Sequence, residues 1–310
     1  MLSSVASRLY WLSRYLERTE NTARILNTYA NLLLDLPKEA EMSWLQMIRT
    51  SGYAVEFEQY RQWPLERSAI KFMTSERENP GSIQSTIDCA RENMRTLREY
   101  LPKEAFEAVN ELHIACDKKL ARAVGRRARY SVLSEVVERC QQINGLFAGT
   151  MNHGEGYQFI RLGRSLERAD MTTRIIDVAS DLPHSDVSAR APEYEITLWV
   201  NVLRSLSAYQ SYRQSVRSRI TPVRVLHFVL NNIEFPRSVA HCLNEIRTSA
   251  QLLPKNEAVL EVLKTTERQL GSLSVRALAR EHLQRDMDKM QNELGQIHNA
   301  VGKTWFAELQ

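Results

Sequence analysis

The chain has 310 residues, of which only 11 are glycine and 9 are proline. These turn-forming residues are about half as frequent as the roughly 7% and 5% of average proteins, which disfavours sandwiches, barrels and propellers with many tight hairpins. Hydrophobic residues make up 43%, charged residues 25% and the net charge is +4, which indicates a globular protein with a sizeable core and excludes disordered, collagen-like and strongly basic nucleic-acid-binding chains.

Helical periodicity dominates from the first residues onward. Between Leu9 and Leu26 the apolar side chains recur within a sector of roughly 100° of a helical wheel, as on the buried face of an amphipathic helix. The prolines fall mostly at predicted helix starts or just past helix ends, and the segment 180–192 is the one loose linker. Further helices are predicted, in chain order, near residues 40–61, 64–77, 80–100, 104–123, 130–150, 154–181, 190–219, 222–233, 235–252 and 274–309. The predicted fold class is therefore all-α.

Disulfides, metal sites and membrane anchors are not indicated. The four cysteines form no CxxC pair. No apolar run approaches the ~18 residues needed to span a bilayer, and the start of the chain lacks the basic and apolar regions of a signal peptide. We expect a cytoplasmic protein with no metal or other cofactor, no membrane association and no nucleic-acid partner.

The second half of the chain repeats the first. LYWLSRYLERTENTARIL at residues 9–26 aligns with FIRLGRSLERADMTTRII at residues 159–176 at an offset of 150, and eight of eighteen positions are identical. Weaker matches follow in the same order at offsets of 150 to 156, among them residues 80–82 with 236–238. We predict a single helical domain over residues 1–310, a bundle of two duplicated units with pseudo-twofold symmetry. The two internal repeats are approximately 1–150 and 151–310.

The identical positions include an Arg-x-x-Glu-Arg pattern. Arg14, Glu17 and Arg18 lie on the helix face opposite the leucines, and their counterparts in the second copy are Arg164, Glu167 and Arg168. On a merely solvated face the residues would be free to differ between the two copies, because surface substitutions usually change the free energy of unfolding by less than ~0.5 kcal/mol. We infer that this face is partly buried, where Arg and Glu must be paired. The two copies are predicted to meet in a central charged cluster.

Three interpretations of this motif are open. One is a structural salt-bridge network that sets the register between the two halves. Another is a site where arginines bind carboxylate or phosphate groups, with the candidates Arg14, Arg18, Arg24, Arg91, Arg164, Arg168, Arg174, Arg213 and Arg237. The last is a metal site whose ligands would be Glu17, Glu20, Glu167 and Asp170. The lack of a Glu-x-x-His spacing and the surrounding arginines disfavour it.

A catalytic role for the motif glutamates is a separate possibility. If the chain is an enzyme, Glu17 or Glu167 would be its general base. Burial would raise the pKa of such a glutamate toward neutrality, but the neighbouring arginines would lower it again, which makes the role doubtful.

Two basic stretches contain no acidic residue. The first is Lys118–Arg129, and the second is Ile196–Ile233, which holds Arg204, Arg213, Arg217, Arg219 and Arg224. Each is either a solvated helix face paired with acids from elsewhere in the chain, or a surface for phosphates, carboxylates or an acidic partner.

The two motif segments, together with FPRSV at residues 235–239, resemble the Alpha-E family, an all-helical domain of bacteria named for an Arg-containing motif with Glu. ARENMR at residues 90–95, GLFAGTM at 145–151 and HNAVGKTWF at 298–306 also match, so the resemblance extends over essentially the whole chain. The chain departs from the family pattern at Ser13, where glycine is usual, and at Asn152-His153.

The resemblance implies a context more than a chemistry. Members of the family are encoded beside, or fused to, a circularly permuted ATP-grasp ligase, often with a transglutaminase-like protease. This implies a role in ATP-dependent peptide or amide-bond synthesis. The sequence itself has no GxGxxG or GxxxxGK motif and no recognisable Ser-His-Asp or Cys-His arrangement.

We therefore expect an accessory subunit that binds a ligase acting in trans, its peptide or carboxylate substrate, or both. The alternatives are an enzyme that forms amides or transfers aminoacyl groups by itself, and a purely structural helical scaffold.

Overall fold

A computed structural model of the chain describes residues 1–35, 43–60, 65–177, 192–278 and 283–306. These ranges are helical with short connections and contain no β-strand, which confirms the predicted all-α fold class. The predicted linker over residues 180–192 lies outside the described residues, apart from Pro192 at the start of a helix. The predicted pseudo-twofold symmetry stays a prediction.

The helices follow one another with few connecting residues. In chain order they are α1 (Ser3–Asp35), α2 (Trp44–Ser51), α3 (Ala54–Tyr60), α4 (Leu65–Thr74), α5 (Ile83–Thr96), α6 (Lys103–Lys119), α7 (Arg126–Thr150), α8 (Glu155–Asp177), α9 (Pro192–Ser205), α10 (Tyr209–Val216), α11 (Pro222–Asn231), α12 (Val239–Gln251), α13 (Glu257–Ser272), α14 (Val275–Leu278) and α15 (Leu283–Val301). A 3-10 helix, Leu120–Val124, joins α6 to α7, and a π-helical turn, Gly302–Phe306, follows α15.

Two segments predicted as continuous helices are each broken, so that prediction was wrong in its boundaries. Residues 44–60 form α2 and α3, separated at Gly52, whose φ of +85° lies in the left-handed region that ends helices. Residues 192–216 form α9 and α10, with a left-handed residue at Ser207 between them. Helix α13 was not among the predicted segments.

Helices α1 and α8, which carry the two motif copies, pack against each other at the centre of the bundle. Helices α5, α7 and α9 cover α1, and α12 and α15 cover α8. Both central helices therefore bury polar as well as apolar faces: Leu12 and Leu16 are inaccessible to solvent, and so is Glu17 on the opposite side. A helix buried on all sides must neutralise any charge that it carries inside.

The two central helices approach closely at Gly163 of α8. A Cβ atom on this glycine would lie 2.3 Å from both the carbonyl oxygen of Tyr10 and the Oγ of Ser13 on α1. The sequence departure at Ser13, which faces Gly163, is therefore a local packing feature: one helix supplies the glycine and the other the serine. No helix in the described ranges has the length and apolar character needed to cross a membrane.

Candidate functional site

The charged residues of the two motif copies pair reciprocally across the α1–α8 interface. Glu167 of α8 accepts hydrogen bonds from Arg14 and Arg18 of α1, and Glu17 of α1 accepts hydrogen bonds from Arg168 of α8. The predicted meeting of the two copies is thus present in the structure. Each carboxylate is neutralised by the opposite helix.

Glu167 is completely buried and holds two guanidinium groups. Arg18 binds it in a bidentate manner, with Nε 2.5 Å from Oε1 and Nη2 3.0 Å from Oε2, and Arg14 Nε lies 2.8 Å from Oε2. Burial alone would raise the pKa of Glu167, but the two arginines outweigh it and lower the pKa to about 2. Glu167 is therefore a carboxylate at neutral pH.

A chain of hydrogen bonds continues from Arg14 to helix α15. Arg14 Nη1 donates to the hydroxyl of Tyr10 at 3.3 Å, and that hydroxyl lies 2.9 Å from Nδ1 of His298. Because Arg14 can only donate, the Tyr10 hydroxyl accepts from it, and the same hydroxyl shares a hydrogen bond with the imidazole of His298. Burial and the charge of Arg14 lower the pKa of His298 to about 4.

Glu17 is also completely buried but has a different set of donors. Arg168 binds it in a bidentate manner at 2.9 and 2.8 Å, Arg237 Nη1 donates to Oε1 at 2.8 Å, and Asn21 Nδ2 donates to Oε1 at 3.1 Å. Burial alone would raise the pKa of Glu17, but Arg168 and Arg237 hold it well below its usual range. Arg237 also donates to Glu20 Oε1 at 2.6 Å.

Two further predicted arginines pair within their own helix at the edge of this cluster. Arg24 Nη2 lies 2.7 Å from Glu20 Oε1, one turn earlier in α1, and Arg24 also donates to Ser207. Arg174 Nε lies 2.9 Å from Asp170 Oδ2, one turn earlier in α8. These i,i+4 pairs extend the network toward the ends of both central helices.

Three predicted arginines bind no motif carboxylate. Arg91 is exposed and donates to Asn110 Oδ1 at 2.9 Å, and Arg213 is exposed on α10. Arg164 lies beside the cluster, but no hydrogen bond or ion pair joins it to any other described residue, and its Nε atom is buried. The nine candidate arginines therefore do not form one anion site.

Other residues of the cluster were not predicted from the sequence. Tyr10 and Asn21 align with Ile160 and Met171 in the second copy, so the repeat gives no signal for them. Arg237 was a candidate, but its asymmetry was missed: the first half has Gly81 at the aligned position, where a Cβ atom would lie 2.0 Å from the ring of Tyr53. No side chain could extend from that position without displacing the tyrosine.

The four motif carboxylates are occupied by arginines. Glu17, Glu20, Glu167 and Asp170 each accept at least one charged hydrogen bond from an arginine. Within the described ranges, no group of three or more histidine, cysteine, aspartate or glutamate side chains is arranged to hold a metal ion.

The two basic stretches differ in their surroundings. In the first stretch Lys119 pairs with Glu135 at 2.6 Å, and both Arg126 and Arg129 pair with Glu66. In the second stretch all five arginines are exposed and contact no carboxylate of a described residue; apart from Arg204, which lies over the ring of Tyr209, they are Arg213, Arg217, Arg219 and Arg224. We call these four residues the basic face.

Comparison with known proteins gives a family but no activity. A family model named Alpha-E, described as a predicted alpha-helical domain with a conserved ER motif, matches residues 1–306. The chain is also 20% identical over 270 residues to the uncharacterized proteins Mb2597 of Mycobacterium bovis and MT2643 and Rv2567 of Mycobacterium tuberculosis. The alignment covers 81% of this chain but only 30% of each relative. No solved structure matches the chain.

Proposed function

Because the chain belongs to the Alpha-E family, we propose that it is an accessory subunit of an ATP-dependent system that forms peptide or amide bonds. It binds a circularly permuted ATP-grasp ligase in trans, the peptide or carboxylate substrate of that ligase, or both. We place it in the cytoplasm because the reaction consumes ATP. The mycobacterial relatives, of which the chain spans less than a third, are consistent with a helical unit that works together with further protein segments.

The basic face is the observation that carries this proposal. Its four arginines are exposed, and no carboxylate of a described residue neutralises them, whereas three of the six cations of Lys118–Arg129, namely Lys119, Arg126 and Arg129, are paired with Glu135 or Glu66. Like charges that are left together on a surface raise the local potential and attract a partner of opposite charge. An acidic surface of the ligase is the partner that this face fits.

Co-purification tests the proposal. The wild-type chain and the ATP-grasp ligase of the same organism are expected to elute together at micromolar concentration. The triple variant Arg213→Glu, Arg217→Glu and Arg219→Glu is expected to bind the ligase at least about tenfold more weakly, because reversed charges repel the acidic surface.

A matched control comes from the other basic stretch. Lys118→Glu, Arg122→Glu and Arg127→Glu change the net charge equally at three exposed positions and are expected to leave binding intact. Separate elution of the wild-type proteins, with and without ATP, would contradict the binding of the ligase in trans. Equal weakening by both triple variants would show that only net charge matters and would contradict the role of the basic face.

The geometry gives less support to a catalytic role for Glu17 and Glu167. Both carboxylates are inaccessible to solvent, and each has guanidinium groups on both of its oxygens. A general base is most effective when its pKa lies near the working pH, and both values lie far below neutrality. The reciprocal pairing supports the structural interpretation of the motif, in which it joins α1 to α8.

The enzyme alternative has its own test in a reconstituted reaction with the ligase. Glu17→Gln or Glu167→Gln protein that still folds and still binds the ligase is expected to support product formation. Loss of product from such a variant would favour catalysis by the motif.

A further inference from the structure

The first arginine of the motif has opposite surroundings in the two copies. Arg14 is paired with Glu167, and its guanidinium carbon lies 4.9 Å from the ring centroid of Trp11 and 5.6 Å from that of Tyr10. Arg164, at the aligned position in α8, has no partner among the described residues, and its Nε atom is buried. The repeat therefore keeps the arginine but loses its carboxylate.

The aromatic cover of the first copy is also absent from the second. Trp11 and Tyr15 stack on each other at 5.4 Å beside Arg14. The aligned positions in α8 are Arg161 and Ser165, a second cation and a small hydroxyl. The side chain of Arg164 remains partly exposed.

The carboxylates near Arg164 are already engaged. Both oxygens of Glu17 bind Arg168, and Arg161 binds Glu245 with Nη2 2.7 Å from Oε2. Arg161, Arg164 and Arg168 are spaced i, i+3 and i+7 and lie along one face of α8. The three guanidinium groups on this face thus share two carboxylates, and the central guanidinium, that of Arg164, binds neither.

This imbalance disfavours the charge of Arg164. Burial, and after it the neighbouring charge of Arg168, lower the pKa of Arg164, in contrast to Arg14, whose pKa is raised. A buried charge without a partner is costly, and a bound anion would relieve that cost.

We propose that Arg164 binds the carboxylate of a small ligand, in the position that Glu167 fills for Arg14. One free guanidinium fork matches one planar carboxylate with two parallel hydrogen bonds. A phosphate dianion fits less well, because Glu17 and Glu245 flank the site and would repel its second charge. Only the identity of the ligand, an amino acid or peptide of the ligase reaction, rests on the proposed function.

Thermal unfolding of the full chain at constant ionic strength tests the site. N-acetylglycine supplies a carboxylate, and N-acetylglycinamide is its neutral counterpart. N-acetylglycine is expected to raise the Tm in a saturable manner, by about 2 °C at ten times its Kd, whereas the amide and inorganic phosphate leave it unchanged. Arg164→Gln abolishes the shift, and Arg164→Lys, which keeps the charge but loses the fork, weakens binding about tenfold.

Arg268→Gln, at an exposed arginine of α13, is the matched control and keeps the wild-type response. No shift in the wild-type chain, an equal shift with the amide, a shift of equal size with phosphate, or an undiminished shift in Arg164→Gln would overturn the site. Carboxylate binding without ligase binding overturns the ligase-binding part of the proposed function alone. Ligase binding without carboxylate binding overturns this site alone.

Discussion

Glu167 and Glu17 occupy the same position in two copies of one motif, and both are completely buried, yet their surroundings differ. On the Glu167 side both motif arginines have partners within the chain. Arg14 and Arg18 pair with Glu167, and Tyr10 links Arg14 to His298. The Glu17 side recruits Arg237 from the loop before α12 and leaves Arg164 without a carboxylate. A repeated motif can thus have a structural role in both copies and a free binding group in only one.

The largest expected effect comes from removing either central carboxylate. Glu17→Gln leaves the charges of Arg168 and Arg237 poorly compensated, and Glu167→Gln does the same to Arg14 and Arg18. Each is expected to lower the free energy of unfolding by about 3–5 kcal/mol, as for other buried ion pairs that lose one partner. Urea unfolding at neutral pH measures this loss.

The control for this prediction is Glu92→Gln. It removes the partner of Arg95 in an ion pair whose two side chains are both exposed, and it is expected to cost less than about 1 kcal/mol. A loss from Glu17→Gln or Glu167→Gln as small as this would mean that the cluster does not hold α1 to α8.

An intermediate effect separates the two first arginines. Arg14→Gln removes a charged hydrogen bond to Glu167 and is expected to cost about 2 kcal/mol. Arg164→Gln removes no hydrogen bond or ion pair to a described residue and removes a buried, unpaired charge, so without ligand it is expected to leave the free energy of unfolding unchanged or to raise it. Denaturant unfolding of the two variants side by side checks the difference. Equal losses would show that the copies are equivalent after all.

A dependence of stability on pH between 6.5 and 4 belongs to the Glu167 side, through His298. The pKa of His298 falls from its ordinary 6.5 to about 4 in the folded protein, so the unfolded chain takes up the proton first as the pH falls. Stability from neutral His298 is complete above about pH 6.5 and is lost between pH 6.5 and 4. Glutamine cannot titrate, so His298→Gln is expected to remove this part of the dependence of the free energy of unfolding on pH.

Denaturant midpoints of both proteins from pH 8 to 3 check that expectation. The pKa of Glu167 is lowered from 4.5 to about 2, so its contribution is present above about pH 4.5 and is lost below that, in wild-type and variant alike. Identical slopes between pH 6.5 and 4 in the two proteins would contradict the role of His298.

The two motif copies were predictable because their pattern is local. Leucines at helical spacing marked the buried face of α1, and repeated charges opposite them at Glu17 and Glu167 indicated a second buried face. The break at Gly52 was harder to predict, since a glycine inside a helical pattern is often tolerated and only its backbone angle ends the helix. The exposure of Arg91 and Arg213 could not be predicted, because a single arginine outside a repeated pattern carries no signal of burial.

The sequence alone determined the all-α class, the two charged motif segments and their pairing as opposite charges, since helical periodicity and repetition are properties of the chain order. The tertiary structure decided which arginine meets which carboxylate. Arg237 approaches Glu17 from a segment 220 residues away. Glu17 binds Arg168 and Arg237, and no hydrogen bond joins Arg164 to either of its oxygens. Competition between distant residues for one buried acceptor depends on distances in space, which sequence spacing does not encode.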